Sequence, residues 1–242
     1  MVDIHCHILP GVDDGSRSWE MTAEMCRMAA DDGITHIVAT PHSNDVYAYD
    51  RQRYTAMLGP LHDAGGGRLT FSLGCDFHFS PENICSALDN PRCYVLGDTQ
   101  YLLIEFSDLE IPARAMRDVL AICSRGMVPI ITHPERNPPL LKDPDLVLKL
   151  VELGCLVQVT ANAVTGAWGE RSRRMAEWLL SREAVHVIAS DAHDPVYRRP
   201  IMSEARDVVA GMVGAGIAEA LVTLNPEAIV GGKSLPWQPL CR

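Results

Sequence analysis

Short runs of apolar and β-branched residues recur at Val2 to Cys6, Thr35 to Ala39, Leu69 to Leu73, Tyr101 to Glu105, Val128 to Ile131, Cys155 to Val159 and Val185 to Ala189. Each predicts a strand. Between them, apolar positions fall at helical spacing over Trp19 to Ala30, Ala113 to Cys123, Pro144 to Leu153, Ser172 to Leu180 and Glu204 to Val213; in the first of these Met21, Met25, Met28 and Ala29 share a face. Gly33, Gly126 and Gly154 each follow a helical segment and precede a strand, where a residue able to take positive φ closes a helix. Alternation of this kind predicts βα units around a mainly parallel sheet. Seven strands suit a closed or nearly closed barrel better than a small open sheet. No linker, low-complexity tract or long repeat interrupts the pattern, so residues 1–242 are expected to form one α/β domain. Near the end, Asn225-Pro226-Glu227 followed by Gly231-Gly232 predicts a short helix capped by Asn225 and its stop.

Composition narrows the class. The chain has 242 residues, 47% hydrophobic and 21% charged, with 31 acidic against 21 basic side chains and a formal net charge of −10. A single barrel domain of ~200–250 residues accommodates that length. The acidic balance argues against gripping nucleic acid, whose affinity comes largely from Lys and Arg on phosphates. The best apolar stretch, Val208 to Leu224, is interrupted by glycines and Glu219, so no membrane insertion is expected. The opening Met-Val-Asp-Ile-His lacks the basic and apolar segments of a secretory signal, and a cytoplasmic location is expected. Cysteines at 6, 26, 75, 85, 93, 123, 155 and 241 form no C-x-x-C pair, which predicts reduced, mostly buried thiols rather than a disulfide or zinc framework. Gly232-Lys233-Ser234 is not a phosphate loop, since Glu227 stands where its first glycine is needed.

The chemistry lies where the predicted strands stop. In Asp3-Ile4-His5-Cys6-His7 the two histidines project to one face and Cys6 to the other. Asp14 follows in the first loop; His42, Asp76, Glu105, His133, Asp191 and His193 stand at the ends of later strands. In (β/α) barrels catalytic groups come from the carboxyl ends of several strands. Imidazole with carboxylate and no thiolate suits Mn, Fe or Zn in a reactive rather than a structural site. Nine donors exceed one ion's needs and could furnish two or three.

The run His5-Cys6-His7-Ile8-Leu9-Pro10-Gly11-Val12-Asp13-Asp14-Gly15, with Ala39-Thr40-Pro41-His42, Thr132-His133-Pro134-Glu135-Arg136-Asn137 and Ser190-Asp191-Ala192-His193, resembles the polymerase-and-histidinol-phosphatase (PHP) superfamily. Within it, the long first motif and His-Pro-Glu-Arg-Asn resemble the bacterial manganese-dependent tyrosine phosphatases of capsule and exopolysaccharide synthesis, the CpsB/YwqE type. The resemblance runs from residue 3 to about 226. It implies a distorted (β/α)7 TIM-like barrel holding three divalent ions, manganese first and iron or zinc next. Carried over by position, His5, His7, Asp76 and Asp191 would bind one ion, Asp76, Glu105 and His133 a second, and Asp14, His42 and His193 a third. Arg136 and Arg198 would grip the substrate phosphate, with Arg199 the rival of Arg198. Relatives usually carry Gln-Glu where this chain has Cys75-Asp76, which puts metal bridging by the shorter Asp76 in question; His78, two residues on, is a candidate to compensate.

The resemblance implies hydrolysis of phosphotyrosine on a protein, a bacterial tyrosine kinase being the expected partner, by a metal-activated hydroxide. No cysteine has an arginine six positions later, as a cysteine-dependent tyrosine phosphatase needs, and no G-x-S-x-G elbow is present. Two other readings share the ligands: a phosphatase of small metabolites such as histidinol phosphate, or a related phosphoesterase, and a non-catalytic metal-bound regulatory domain. Oligomeric state is not legible.

Overall fold

The computed structural model describes residues 1–239, so Cys241 and the last residues of the expected domain lie outside it. The strands are β1 Val2–Cys6, β2 His36–Ala39, β3 His42–Ser43, β4 Thr70–Leu73, β5 Asp76–His78, β6 Tyr101–Glu105, β7 Val128–Thr132, β8 Leu156–Thr160 and β9 Val187–Ala189. Every pairing among them is parallel, in the orders β1-β2-β4 and β3-β5-β6-β7-β8-β9. All seven expected strands are present.

Two strands were not expected, and both continue earlier ones. Thr40-Pro41 separates β2 from β3, and Gly74-Cys75 separates β4 from β5. The ladder bridges these gaps: the Gly74 amide donates to Ala39 O at 2.8 Å and the Asp76 amide to Pro41 O at 3.1 Å. Being short and mostly polar, β3 and β5 fall outside the hydrophobic runs. Their register sets His42 beside Asp76 and His78 beside Glu105, so the jog carries functional side chains. At the other edge, Asp191 N donates to His5 O and His7 N to Ala192 O, both at 2.8 Å, joining the end of β1 to the segment after β9.

The helices are α1 Trp19–Asp31, α2 Arg51–Ala64, α3 Pro81–Asp89, α4 Ala115–Ser124, α5 Pro138–Lys142, α6 Asp145–Glu152, α7 Ala161–Val164, α8 Glu170–Ser181, α9 Ser203–Val213, α10 Ala215–Glu219 and α11 Asn225–Val230. The five expected helices correspond to α1, α4, α6, α8 and α9. Ser18, Asp50, Ser80, Asn137 and Thr160 cap α1, α2, α3, α5 and α7 through side-chain oxygens that accept an amide of the first turn. Helix α2 gives little periodic signal because Tyr54 and Leu61 are its buried residues and Pro60 lies inside it. Gly33, Gly126 and Gly154 take φ of 89°, 81° and 94°, as their positions predicted. Asn225 corrects an expectation: α11 continues directly from a π-turn over Ala220–Leu224 and has no side-chain cap. Asn225 instead donates to His186 O at 2.9 Å and accepts from the Trp237 amide at 3.2 Å, joining Trp237 to the segment just before β9.

A large apolar cluster joins the outer strand faces to the helices, through Met25 and Ala29 of α1, Val119 and Ile122 of α4, Leu150 of α6 and Leu179 of α8. A second gathers Val2, Ile4, Val38, Leu103, Ile130, Val187 and Ala189 with Ile229 of α11 on the opposite strand faces. In β1, Cys6 belongs to the outer cluster while Val2 and Ile4 belong to the inner one, and the ladder to β2 is irregular between Asp3 and Cys6. That irregularity changes which residues face inward, so Val2 and Ile4 pack below while His5 and His7 project above them.

Of the seven described cysteines, Cys6, Cys26, Cys75 and Cys155 are buried, Cys93 and Cys123 half-buried and Cys85 exposed; all are free thiols. Among the described residues no helix is long and apolar enough to cross a membrane.

Candidate active site

The nine expected donors converge above the inner cluster. The His5 and His7 rings lie 5.3 Å apart with their Nε2 atoms at 3.2 Å. Each is oriented from behind. Gln158 Oε1 on β8 accepts from His5 Nδ1 at 2.9 Å, and Asp13 Oδ2 accepts from His7 Nδ1 at 2.8 Å, which leaves both Nε2 atoms facing the cleft. Asp13 also accepts from the Gly15 and His42 amides at 2.9 and 3.2 Å, so one carboxylate braces the first loop and the start of β3 together. Gly15 must be glycine, because a Cβ there would stand 2.2 Å from His7 O.

Asp76 is the hub. Its Oδ2 lies 3.2 Å from His42 Nδ1, 3.5 Å from His5 Nε2 and 4.0 Å from His7 Nε2. Glu105 Oε2 is 3.6 Å from His42 Nδ1, and its Oε1 is 3.7 Å from His133 Nε2. Asp14 Oδ1 faces His42 Nε2 at 3.4 Å and His193 Nε2 at 3.5 Å. Three sets have donor atoms close enough to share an ion: His7, Asp14, His42 and His193; His5, His7 and Asp76; and His42, Asp76 and Glu105. Asp76 thus stands in two of them despite its short side chain. His78 stands in none of the three; its Nδ1 is 3.7 Å from Glu105 Oε2.

Asp191, at φ 53°, turns Oδ1 toward His5 at 3.4 Å and His7 at 3.5 Å. Its Oδ2 accepts from Arg136 Nη2 and Arg198 Nη2, each at 2.6 Å. Both arginines line the cleft with Asp14, His42, Asp76, Glu105, His133 and Trp168 around about 830 Å³ of open space. Arg199 is exposed and does not line it.

The motif His133-Pro134-Glu135-Arg136-Asn137 works as one mechanical unit. Glu135, fully buried, accepts from Thr160 N at 2.9 Å and Thr160 Oγ1 at 2.7 Å, tying the turn to the end of β8. Asn137 donates to Phe106 O and Ser107 O at 3.1 and 3.0 Å, tying it to the segment beyond Glu105. His133, at φ 34°, and Arg136 are held between these anchors.

The electrostatics follow from packing opposite charges out of water. Burial would lower His5, but Asp76 and Asp191 push it up to about 9. Against the same penalty, Asp14 and Asp76 push His42 up to about 11. His7 is pulled down to about 3 by burial and by neighbouring His193, Asp13 opposing. Burial and then Arg136 hold His133 well below its usual range. Although burial opposes ionisation, His5 and His42 hold Asp76 well below the carboxylate range, and Arg136 and Arg198 do so for Asp191. Burial raises Glu105, and Asp76 adds to it. Burial pushes the Cys6 and Cys75 thiols well up, so neither supplies a thiolate.

The residues fit divalent metal ions. Both Asp76 oxygens, His42 Nδ1 and His193 Nε2 are buried without a well-directed hydrogen bond, a costly state for polar atoms that are not otherwise paired. Cations among these atoms would satisfy them, and the donors are imidazole and carboxylate without sulfur.

Sequence reasoning missed Gln158, Trp168 and the bracing role of Asp13. Asp13 was visible beside Asp14 in the first motif. Gln158, a lone polar residue in the run Cys155 to Val159, was the other available signal. Trp168 carried none, being remote in sequence from every motif.

A family model described as "Capsular polysaccharide synthesis, CpsB/CapC" matches residues 1–231. The tyrosine-protein phosphatase YwqE of Bacillus subtilis is 31% identical over 251 residues, covering 99% of this chain and 95% of that protein. A putative tyrosine-protein phosphatase CapC of Staphylococcus aureus is 34% identical over 208 residues, covering 84% of this chain and 80% of its own length. A solved structure from work on YwqE of B. subtilis and CpsB of Streptococcus pneumoniae, described as unique metal-dependent tyrosine phosphatases, superposes over 100% of both chains with a TM-score of 0.89 and 31% identity. A Lactococcus lactis histidinol phosphate phosphatase matches with a TM-score of 0.57 at 10% identity, over 88% of this chain and 93% of that one, a likeness of fold alone.

Proposed function

The chain belongs to the CpsB/CapC family of capsular polysaccharide synthesis, and on that premise we propose that it is a metal-dependent protein-tyrosine phosphatase. The observation that carries the reading is the pairing of two converging arginines with nine His, Asp and Glu donors, six lining one cleft and His5, His7 and His193 buried against them.

His5, His7, Asp76 and Asp191 would hold one ion, Asp76, Glu105 and His133 a second, and Asp14, His42 and His193 a third. His42 stands near enough to Asp76 and Glu105 to share theirs. Manganese is the proposed metal, and a divalent ion would supply an acidified water and neutralise phosphoryl charge. Gln158 and Asp13 fix the tautomers of His5 and His7, and Asp76 joins two ligand sets. Arg136 and Arg198 line the cleft, and their guanidinium N–H groups beyond those that meet Asp191 are donors suited to paired hydrogen bonds with phosphate oxygens. Asp191 holds both guanidiniums in place for that contact.

The fold proposed for the whole chain is one distorted seven-stranded barrel, in which β2–β3 and β4–β5 each count as one strand and the bonds of His5 and His7 to the segment after β9 close the ring. The proposed substrate is the phosphotyrosine tail of a cytoplasmic bacterial tyrosine kinase. Turnover of a tyrosine-phosphorylated kinase tail against histidinol phosphate tests this reading: a higher kcat/KM on the peptide supports it, and a large preference for histidinol phosphate overturns it.

A further inference from the structure

The cleft is lined almost wholly by charged and polar side chains, yet a phosphotyrosine brings an aromatic ring to its mouth. Beside the two arginines it presents the indole of Trp168, while Tyr47 and Phe106 line an adjoining cavity that shares Asp14, His42, Glu105 and Asp108 with it. Its indole packs against both arginines, with Arg136 Cζ 4.8 Å and Arg198 Cζ 5.5 Å from the ring centroid. The two guanidiniums are therefore held between the Asp191 carboxylate and the indole, arriving from the segments after β7 and β9.

Trp168 is itself firmly placed. It lies between α7 and α8, with Gly166 at φ 86° and Gly169 at φ 87°, a backbone path that residues with a Cβ rarely take. Its amide donates to Asn162 O at 3.2 Å, and the Gly169 amide donates to Gly166 O at 2.9 Å. Helix α7, where this loop starts, is capped by the same Thr160 that Glu135 anchors. The Arg136 turn and the Trp168 loop thus share a support. Even so, 36% of Trp168 remains exposed, leaving part of the indole open to a ligand.

We propose that Trp168 is the positioning and specificity residue of this site, holding Arg136 and Arg198 and giving an aryl phosphate ester an aromatic wall. The inference rests on the phosphatase reading. An aryl group beside the arginines gains ring contact with the indole, whereas an alkyl phosphate forgoes it. Loss of the indole also removes a cation–π partner from each arginine.

The test compares wild type, W168A and W168F, each with its metal content measured, on peptides of one sequence carrying phosphotyrosine or phosphoserine; inhibition by each peptide is read where turnover is too slow. Inorganic phosphate serves as a third probe. W168A is expected to keep its metal, to raise KM or Ki for phosphotyrosine about thirtyfold with kcat changed less than about threefold, and to weaken phosphate inhibition about threefold, a loss that phosphoserine shares. The phosphotyrosine-to-phosphoserine preference falls about tenfold in W168A and returns to within about threefold of wild type in W168F. A W168A protein that keeps the wild-type preference overturns this inference alone. A fully metal-loaded wild type that turns over no aryl phosphate contradicts the phosphatase reading instead.

Discussion

Gln158 on β8 accepts a hydrogen bond from His5 Nδ1 at 2.9 Å, and both side chains are fully buried. The amide thereby fixes which imidazole nitrogen faces the cleft. Outer partners of this type typically contribute 10–100-fold to metal affinity. Gln158→Leu, which removes the acceptor at similar volume, is expected to weaken metal binding by about that factor while the protein stays folded. Metal titration followed by circular dichroism checks it.

Asp76 and Asp14 differ in how many ligand sets they join. Asp76 stands in two and is buried, whereas Asp14 stands in one and is half exposed. Asp76→Ala should therefore lower the metal content per chain by more than Asp14→Ala, with activity lost in the former. Elemental analysis of both proteins decides the matter; equal losses would remove Asp76 from its bridging place.

Arg136→Ala separates phosphate binding from metal binding. The metal complement is expected to remain, and kcat/KM to fall by about 10²–10³, the usual effect of removing one donor to a developing charge. Loss of metal in this variant would mean that the arginine acts by holding Asp191, whose Oδ2 it meets at 2.6 Å.

Cys6 lies between two of the donors but packs into the outer apolar cluster, and burial keeps its thiol protonated. Cys6→Ser should leave kcat within about threefold of wild type and cost stability on the order of 1 kcal/mol by burying a hydroxyl. A kcat reduced by orders of magnitude, at unchanged metal content, would implicate the sulfur.

His186 gives a pH signature away from the cleft. Burial pulls its imidazole down to about 4, and its Nδ1 accepts from the Val157 amide at 3.1 Å. Between about pH 6.5 and 4 the unfolded chain binds a proton there that the folded chain does not, so stability rises with pH across that window. Below it both states are protonated and the dependence ends. Chemical denaturation of wild type and His186→Gln across this range should show the wild type losing more stability on acidification, by an amount on the order of 3 kcal/mol. Parallel curves would remove His186 as the source.

Much of the site was legible because its donors are spelled locally. His5 and His7 share a face by strand periodicity, and the remaining candidate donors follow apolar runs that end in polar residues. The regular strands were legible for the same reason. β3 and β5 were not, since strands of two and three residues, with Phe77 their one apolar side chain, are too short to show a hydrophobic period. Asn225 was misread because Asn-Pro is a local capping signal, while the partners it takes, His186 and Trp237, are tertiary. Gln158 and Trp168 act through residues distant in sequence, and only the assembled fold brings them to His5 and to the arginines.

The central claim is tested most directly by measuring metal content and phosphotyrosine-peptide hydrolysis on the same purified sample, before chelation, after it, and after manganese is restored. Activity that tracks metal content, vanishing with the chelator and returning with manganese, is the predicted result. A sample with its full metal complement that releases no phosphate from any aryl phosphate would contradict it.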